Sequence, residues 1–219
     1  MDAEDDTLIA GAGYTVEASG FIPGSTVEVE LHSDRWSFGT WIANSYGRIA
    51  AQIQVPPTTL QGQHRLVVRE HITVAQAMTR SALRTEIPVV VTIDETGPAL
   101  GSVSLSATSV DVTNGAQAFT VTVEATDDMT GVDYICLNWW SAPADYGLAV
   151  GSEGCNSRLS GRLSLVSGST TNGTWEAEVT VPAGLQAQTW TFSDWRLQDV
   201  VNNETTGNDG VPDITVING

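Results

Sequence analysis

Along most of the chain, apolar and polar residues alternate with a period of two. Val27, Val29 and Leu31 share one parity, while Glu28, Glu30 and His32 share the other. Successive side chains of a strand point to opposite faces, so this pattern predicts antiparallel strands with one face in a core and one in water. Tyr14–Val16–Ala18, Ile49–Ala51–Ile53–Val55 and Ile87–Val89–Val91–Ile93 repeat it. Leu66 and Val68 mark a further strand, and residues 38–42 a short aromatic one. Pro23-Gly24, the run Asn44-Ser45-Tyr46-Gly47, and Pro56-Pro57 separate these segments. Turn signals at such close, regular spacing favour a sandwich or barrel.

Residues 70–85 fit the alternation badly. Ala75, Met78, Ala82 and Leu83 are spaced loosely like a helix, but no clear N-cap or capping box opens the segment. It is expected to be an inserted loop or an irregular strand excursion. Asp94-Glu95-Thr96-Gly97-Pro98 is the best boundary, because it is polar, carries Gly-Pro, and the alternation restarts behind it. The chain is therefore divided into residues 1–95 and 96–219.

In the second part, Val103 and Leu105, then Val110 and Val112, begin a new series. Phe119–Val121–Val123–Ala125 and Trp175–Ala177–Val179–Val181 alternate cleanly, and Pro182 ends the latter. Residues 132–140 form another strand, and Leu163 and Leu165 follow a Gly/Ser-rich loop. In 188–198 the phase changes: Trp190 and Phe192 share one parity, Trp195 and Leu197 the other. One extra residue near Ser193-Asp194 lets both pairs face the core, which predicts a β-bulge. Ile214 and Val216 suggest a final edge strand.

The chain has 219 residues with 41% hydrophobic and 16% charged, enough for two cores of about 100 residues each. Acidic residues outnumber basic ones 26 to 9, for a net charge of −17. Residues 1–95 carry 12 acids and 6 Arg; residues 96–219 carry 14 acids and 3 Arg. Such a field repels phosphate backbones and anionic membrane surfaces and attracts cations, so nucleic acid is a poor partner. Every basic residue is Arg. Without Lys there is no Schiff-base or P-loop lysine and no Lys–Asn isopeptide cross-link. No apolar run reaches the roughly 18 residues that span a bilayer, so no membrane insertion is expected. The acidic start after Met1 is unlike a signal peptide, which places any export signal outside this segment.

Two cysteines, Cys136 and Cys155, lie outside any metal-binding spacing and read as one disulfide of an extracellular chain, the alternative being two unrelated buried thiols.

Three stretches of the first part resemble a bacterial immunoglobulin-like module of secreted and cell-surface proteins, of actinobacterial type. They are GFIPGSTVEVELHS (20–33), FGTWIANSYGRIAAQIQVP (38–56) and GQHRLVV (62–68). The second part resembles another such module through residues 102–133, 165–182 and 190–203. The resemblance covers about two thirds of the chain. It implies two tandem antiparallel immunoglobulin-like β-sandwich domains, all-β, in a secreted or surface-anchored bacterial protein. It implies little about activity, because such modules serve as spacers, adhesins and enzyme appendages alike. The segment 70–85 departs from the pattern, no wall-sorting motif is present, and the chain reads as a segment of a larger protein.

The sharpest chemistry is a candidate calcium site in the second part, built from Asp127, Asp128, Asp133, Asp199, Asn202 and Asn203. In related modules a D-x-x-G-N turn sits near such an acidic pair; here it reads Asp199-Val200-Val201-Asn202-Asn203. Asn202 in place of Gly is tolerable because Asn visits the left-handed region. Ca²⁺ takes six to eight hard oxygens, and clustered carboxylates repel unless a cation or protons neutralise them. The alternative is that these are ordinary turn residues.

Parity places Trp139 in the core and Tyr134, Cys136, Asn138 and Trp140 on the outer face. Tyr134 and Trp140 are thus candidate ligand-binding aromatics for a glycan or surface-protein partner; alternatively, the 141–158 loop, tied down by the disulfide, covers Trp140. Trp36, Trp41 and Tyr46, near Asp34-Arg35, read as core packing or an interdomain contact rather than a ligand site. His32, His64 and His71 lie in no HExxH or HxH context, and no GxSxG is present. Asn172-Gly-Thr174 and Asn203-Glu-Thr205 match the glycosylation pattern, which means little if the source is bacterial, as the resemblance implies. No catalytic residue is assigned. The expected function is non-catalytic, an extracellular spacer or adhesion segment joined to neighbouring domains, with a carbohydrate-binding accessory region of a secreted hydrolase as the alternative.

Overall fold

The computed structural model describes residues 7–33, 35–141 and 147–219. The chain divides into two compact units, Met1–Asp94 and Glu95–Gly219. Each is a two-sheet sandwich.

In the first unit a five-stranded sheet runs in the order β1-β7-β6-β3-β4. Its strands are β1 (Thr7–Ile9), β3 (Thr26–His32), β4 (Trp36–Ile42), β6 (Gly62–His71) and β7 (Arg84–Thr92). It faces a two-stranded sheet of β2 (Gly13–Ser19) and β5 (Arg48–Gln54). The alternation places the core as expected: Val27, Val29 and Leu31 are buried, and so are Ile49, Ala51 and Ile53 opposite them. Each fully buried aliphatic side chain of this size contributes about 1.5–3 kcal/mol. Gly47 closes the turn before β5 at φ 66°. A Cβ there would overlap the Phe21 carbonyl, so only glycine fits. β1 pairs with β7 in parallel, Thr7 opposite Val90 and Ile9 opposite Thr92.

The segment after β6 differs from expectation. Thr73 caps a single helical turn, α1 (Val74–Ala77), in a capping box with Gln76. The Thr-x-x-Gln signal is present in the sequence, but no apolar stripe follows it, and α1 buries nothing. What holds the excursion is Glu70. Glu70 occupies an inward position of β6, where the alternation calls for an apolar residue, and its side chain is fully buried. It accepts hydrogen bonds from Ile22 N (2.7 Å), Ser25 Oγ (2.9 Å) and Leu83 N (2.9 Å), and pairs with Arg80 at 2.8 Å. Arg80 in turn donates to Gly20 O at 3.0 Å. Two chain segments are thereby fastened to one carboxylate. The aromatic trio separates: Trp41 packs against the core, whereas Trp36 and Tyr46 are exposed. Asp34 lies outside the described residues.

In the second unit one sheet runs β14-β15-β10-β8, built from β8 (Ala99–Leu105), β10 (Gln117–Thr126), β14 (Ser164–Gly168) and β15 (Asn172–Val181). The other runs β13-β12-β11-β16-β18-β9, with β17 (Glu204–Gly207) also paired to β16. Its strands are β9 (Ser109–Asp111), β11 (Val132–Trp140), β12 (Leu148–Gly151), β13 (Leu159–Arg162), β16 (Gln188–Asp199) and β18 (Ile214–Ile217). Phe119, Val121 and Val123 from one sheet meet Ile135, Leu137 and Trp139 from the other in one core. The bulge falls where the phase change predicts it: Asn138 is opposite Asp194 and Trp139 opposite Phe192, leaving Ser193 extra. β18 is not an edge strand. It lies between β16, antiparallel, and β9, parallel, and Ile214 and Val216 are buried. Among the described residues the expected all-antiparallel pairing is thus broken by three parallel pairs, β1–β7, β9–β18 and β12–β13.

Candidate functional site

β10 of one sheet and β16 of the other end at the same pole of the second sandwich; Asp127 directly follows β10, and Asp199 is the last residue of β16. Asp127 Oδ1 accepts from Met129 N (3.1 Å) and Gly131 N (2.6 Å), which closes the turn after β10. Asp199 Oδ1 accepts from Val201 N (2.9 Å) and Asn203 N (2.8 Å), which closes the turn after β16. Asn203 Nδ2 donates to Asp199 Oδ2 at 2.7 Å. Val200 N donates to Gly131 O at 3.2 Å and ties one turn to the other. The two carboxylates present oxygens within 4.8 Å of one another. Asp127 is 9% exposed and Asp199 1%. Three of the four carboxylate oxygens therefore have backbone or amide donors. The fourth, Asp127 Oδ2, is buried and accepts no hydrogen bond. Leaving a buried acceptor unpaired costs about 1–3 kcal/mol, and more for a charged group.

The other residues expected at this site are placed differently. Asp128 and Asp133 are exposed. Asn202 stands at φ 74°, in the left-handed position expected for the turn, with its side chain in solvent. Asn203 is half-buried and turns an N–H toward Asp199.

On the outer face of β11, Cys136 is disulfide-bonded to Cys155. Both are buried, with Tyr134 against them. The Arg196 guanidinium lies 4.8 Å from the centre of the Tyr134 ring, so one ring face is covered. Trp140, at the other end of the strand, is 52% exposed. A Cβ added at Gly147 would come into van der Waals contact with its ring; residues 142–146 of the loop expected to cover it lie outside the described residues. Six residue steps along the strand separate Tyr134 from Trp140, about 20 Å, so they do not form one stacking platform. Near Tyr134 an open groove of about 440 Å³ is lined by Asp133, Glu153, Arg162, Leu165 and Trp175. Arg162, Leu165 and Trp175 belong to strands far from Tyr134 in sequence, and nothing in their local pattern marked them.

In the first unit, His64 is buried. Its Nε2 lies 2.8 Å from Leu60 O and its Nδ1 2.6 Å from Ser33 Oγ. Nε2 donates to the carbonyl, which leaves Nδ1 to accept the Ser33 hydroxyl. Both ring nitrogens are thereby satisfied, as a buried imidazole requires. His32 contacts the buried Glu30 and His71 contacts Glu28, and Arg69 bridges both carboxylates. The hydrogen bond from His71, with Ser37 and Arg69 beside it, holds the Glu28 carboxyl below the usual range against the opposing effect of burial.

No family model matches the chain, and no curated protein matches it. Among solved structures, the chain is similar to a chimeric titin Z1Z2 functionalized with an exogenous KLER peptide from decorin. The identity is 14%, with 98% of this chain and 92% of that one covered and a TM-score of 0.46. It is also similar to fibronectin(III)-like modules of Clostridium thermocellum CbhA, at 12% identity, 99% and 92% coverage and a TM-score of 0.34. A third likeness is to the ICAM-5 D1–D4 ectodomain fragment, at 11% identity, 97% and 51% coverage and a TM-score of 0.31. None of these three reaches a TM-score of 0.5, so they carry no argument about what the chain does.

Proposed function

We propose that the chain is a non-catalytic extracellular segment, a pair of immunoglobulin-like modules that acts as a spacer or adhesion region of a bacterial surface or secreted protein. The observation that carries this reading is the buried Cys136–Cys155 disulfide. Such bonds persist in oxidising compartments and are rare where glutathione keeps thiols reduced. The strong negative charge supports the same reading, since it keeps an exported chain soluble and apart from anionic surfaces. Among the described residues no helix is long and apolar enough to cross a membrane. The test is made in cells expressing the native gene. Intact cells or culture medium are treated with a thiol-alkylating reagent before lysis, and the chain is analysed by mass spectrometry with and without reductant. Both cysteines are expected to escape alkylation until reduced, and protease shaving of intact cells or recovery from the medium is expected to yield the chain. Alkylated cysteines in the native protein, or a chain confined to the cytoplasm, would end the proposal.

A second reading, a glycan-binding accessory region, is favoured by one observation: Trp140 stands half exposed on an outer sheet face. A pulldown with soluble and insoluble polysaccharides, repeated with Trp140→Ala, checks it. Retention by the native chain and loss in the variant support the reading. No retention, or retention unchanged by the substitution, rejects Trp140 as the anchor.

A further inference from the structure

We infer that the pole of the second sandwich where β10 and β16 end is a binding site for a divalent, oxygen-seeking cation of the calcium class, held by Asp127 through Oδ2 and by Asp199. The inference is independent of whether the chain serves as a spacer or binds glycans.

Two observations carry it. The first is convergence: carboxylates from opposite sheets, both at least nine-tenths buried, bring oxygens within 4.8 Å of each other. The second is the hydrogen-bond balance. Turn donors account for Asp127 Oδ1 and for both oxygens of Asp199, yet Asp127 Oδ2 is buried with no donor. Turn capping explains three oxygens and leaves the fourth unexplained. Among the described residues neither aspartate takes part in an ion pair; those of this unit include Arg162–Glu153 and Arg196–Glu204. A buried carboxylate oxygen with neither a donor nor a counter-charge is what a metal ion completes.

The donor chemistry selects the ion. Asp127 and Asp199 offer oxygen alone, and the unit's two cysteines are tied in a disulfide. Oxygen-only ligands suit hard cations, whereas imidazole and thiolate suit zinc and copper. The net charge of −11 over residues 96–219 concentrates such cations around the unit. Asp128 and Asp133 are exposed and belong to the general field, not to the ligand set.

The test uses the full chain stripped with EDTA, with Ca²⁺ followed by calorimetry and Tb³⁺ by luminescence sensitised through the unit's tryptophans. One saturable site is expected. Asp127→Asn is the informative variant: its amide oxygen can still accept from Met129 N and Gly131 N, so the turn keeps its cap while the orphan anion is removed. It is expected to weaken Ca²⁺ binding by at least about tenfold, with Asp128→Asn and Asp133→Asn changing it less than about twofold. Ca²⁺ is expected to raise the melting temperature of the second unit above its value in EDTA, and Asp127→Asn to abolish that rise. Asp199→Asn provides a second ligand variant read by the same Tb³⁺ titration. Absence of saturable Ca²⁺ and Tb³⁺ binding at millimolar concentration overturns the inference. So does binding that Asp127→Asn leaves unchanged, or a melting temperature that this variant lowers equally in EDTA and in Ca²⁺, which would make Asp127 a turn cap only.

Discussion

Trp139→Ala is expected to destabilise the second unit by about 3–5 kcal/mol, the range for removing a buried aromatic from a packed core. Trp139 is 1% exposed. Its indole Nε1 donates to Pro212 O at 3.0 Å, and its ring meets Phe192 edge-on at a centroid distance of 5.2 Å. Alanine would open a cavity between the sheets, remove the aromatic contact and leave the Pro212 carbonyl without that donor, so three losses fall on one site. The neighbouring residue supplies the control. Trp140 has the same side chain but faces outward at 52% exposure, and Trp140→Ala should stay within about 0.5–1 kcal/mol of the native chain. Urea unfolding of both variants checks the contrast. Equal losses would mean that the inward and outward faces of β11 are wrongly assigned.

The second large effect is expected at Glu70. Glu70→Gln keeps the shape of the side chain but removes its charge, leaving Arg80 without its counter-ion and three donors facing a weaker acceptor. Breaking a buried pair from one side costs about 3–5 kcal/mol. Arg80 is one-third exposed and can recover part of its hydration, so the lower end, about 3 kcal/mol, is expected for the first unit. The effect depends on pH. Burial pushes the Glu70 carboxyl up, but the N–H groups of Ile22 and Leu83, the Ser25 hydroxyl and the Arg80 charge together outweigh it and hold the group below its ordinary value of 4.5. A carboxyl depressed in the folded state stabilises above its unfolded value, and that contribution disappears as the pH falls through the folded one. The stability gap between native chain and Glu70→Gln should therefore be full at neutral pH and shrink progressively below about pH 4.5. Unfolding midpoints measured at pH 7 and pH 3 decide it, and a gap that does not narrow would reject the ionic account of this site.

How much of this was legible follows from the range over which each signal acts. Val27-Glu28-Val29 or Phe119-Thr120-Val121 announces a strand and its buried face within a few residues, because side-chain direction is a local property of extended backbone. The Ser193 bulge was legible for the same reason, since a phase slip between two aromatic pairs has one short remedy. Glu70 was not, because its inward parity is tolerable only through donors from residues 22, 25, 80 and 83, and no local rule brings those together. Thr73 and Gln76 carried a readable cap, but the turn they open buries no apolar face, and periodicity was the wrong place to look for it. The place of β18 beside β9 depends on pairing across the whole second unit. The acidic pole divides likewise. Asp127 and Asp199 could be named as turn carboxylates from their own neighbourhoods, but only the packing of two sheets separates them from Asp128 and Asp133, which share their composition and face water.

The parallel pairing of β1 with β7 has a mechanical consequence. β1 begins the described part of the first unit, and β7 is its last strand. Tension applied at the two ends of the unit draws these adjacent strands in opposite directions along their common axis. The hydrogen bonds between them are then loaded side by side in shear, and yielding requires several to rupture together. An antiparallel hairpin pulled at its open end instead unzips one bond at a time. In the second unit the last strand, β18, is likewise paired in parallel, with β9, the strand after β8.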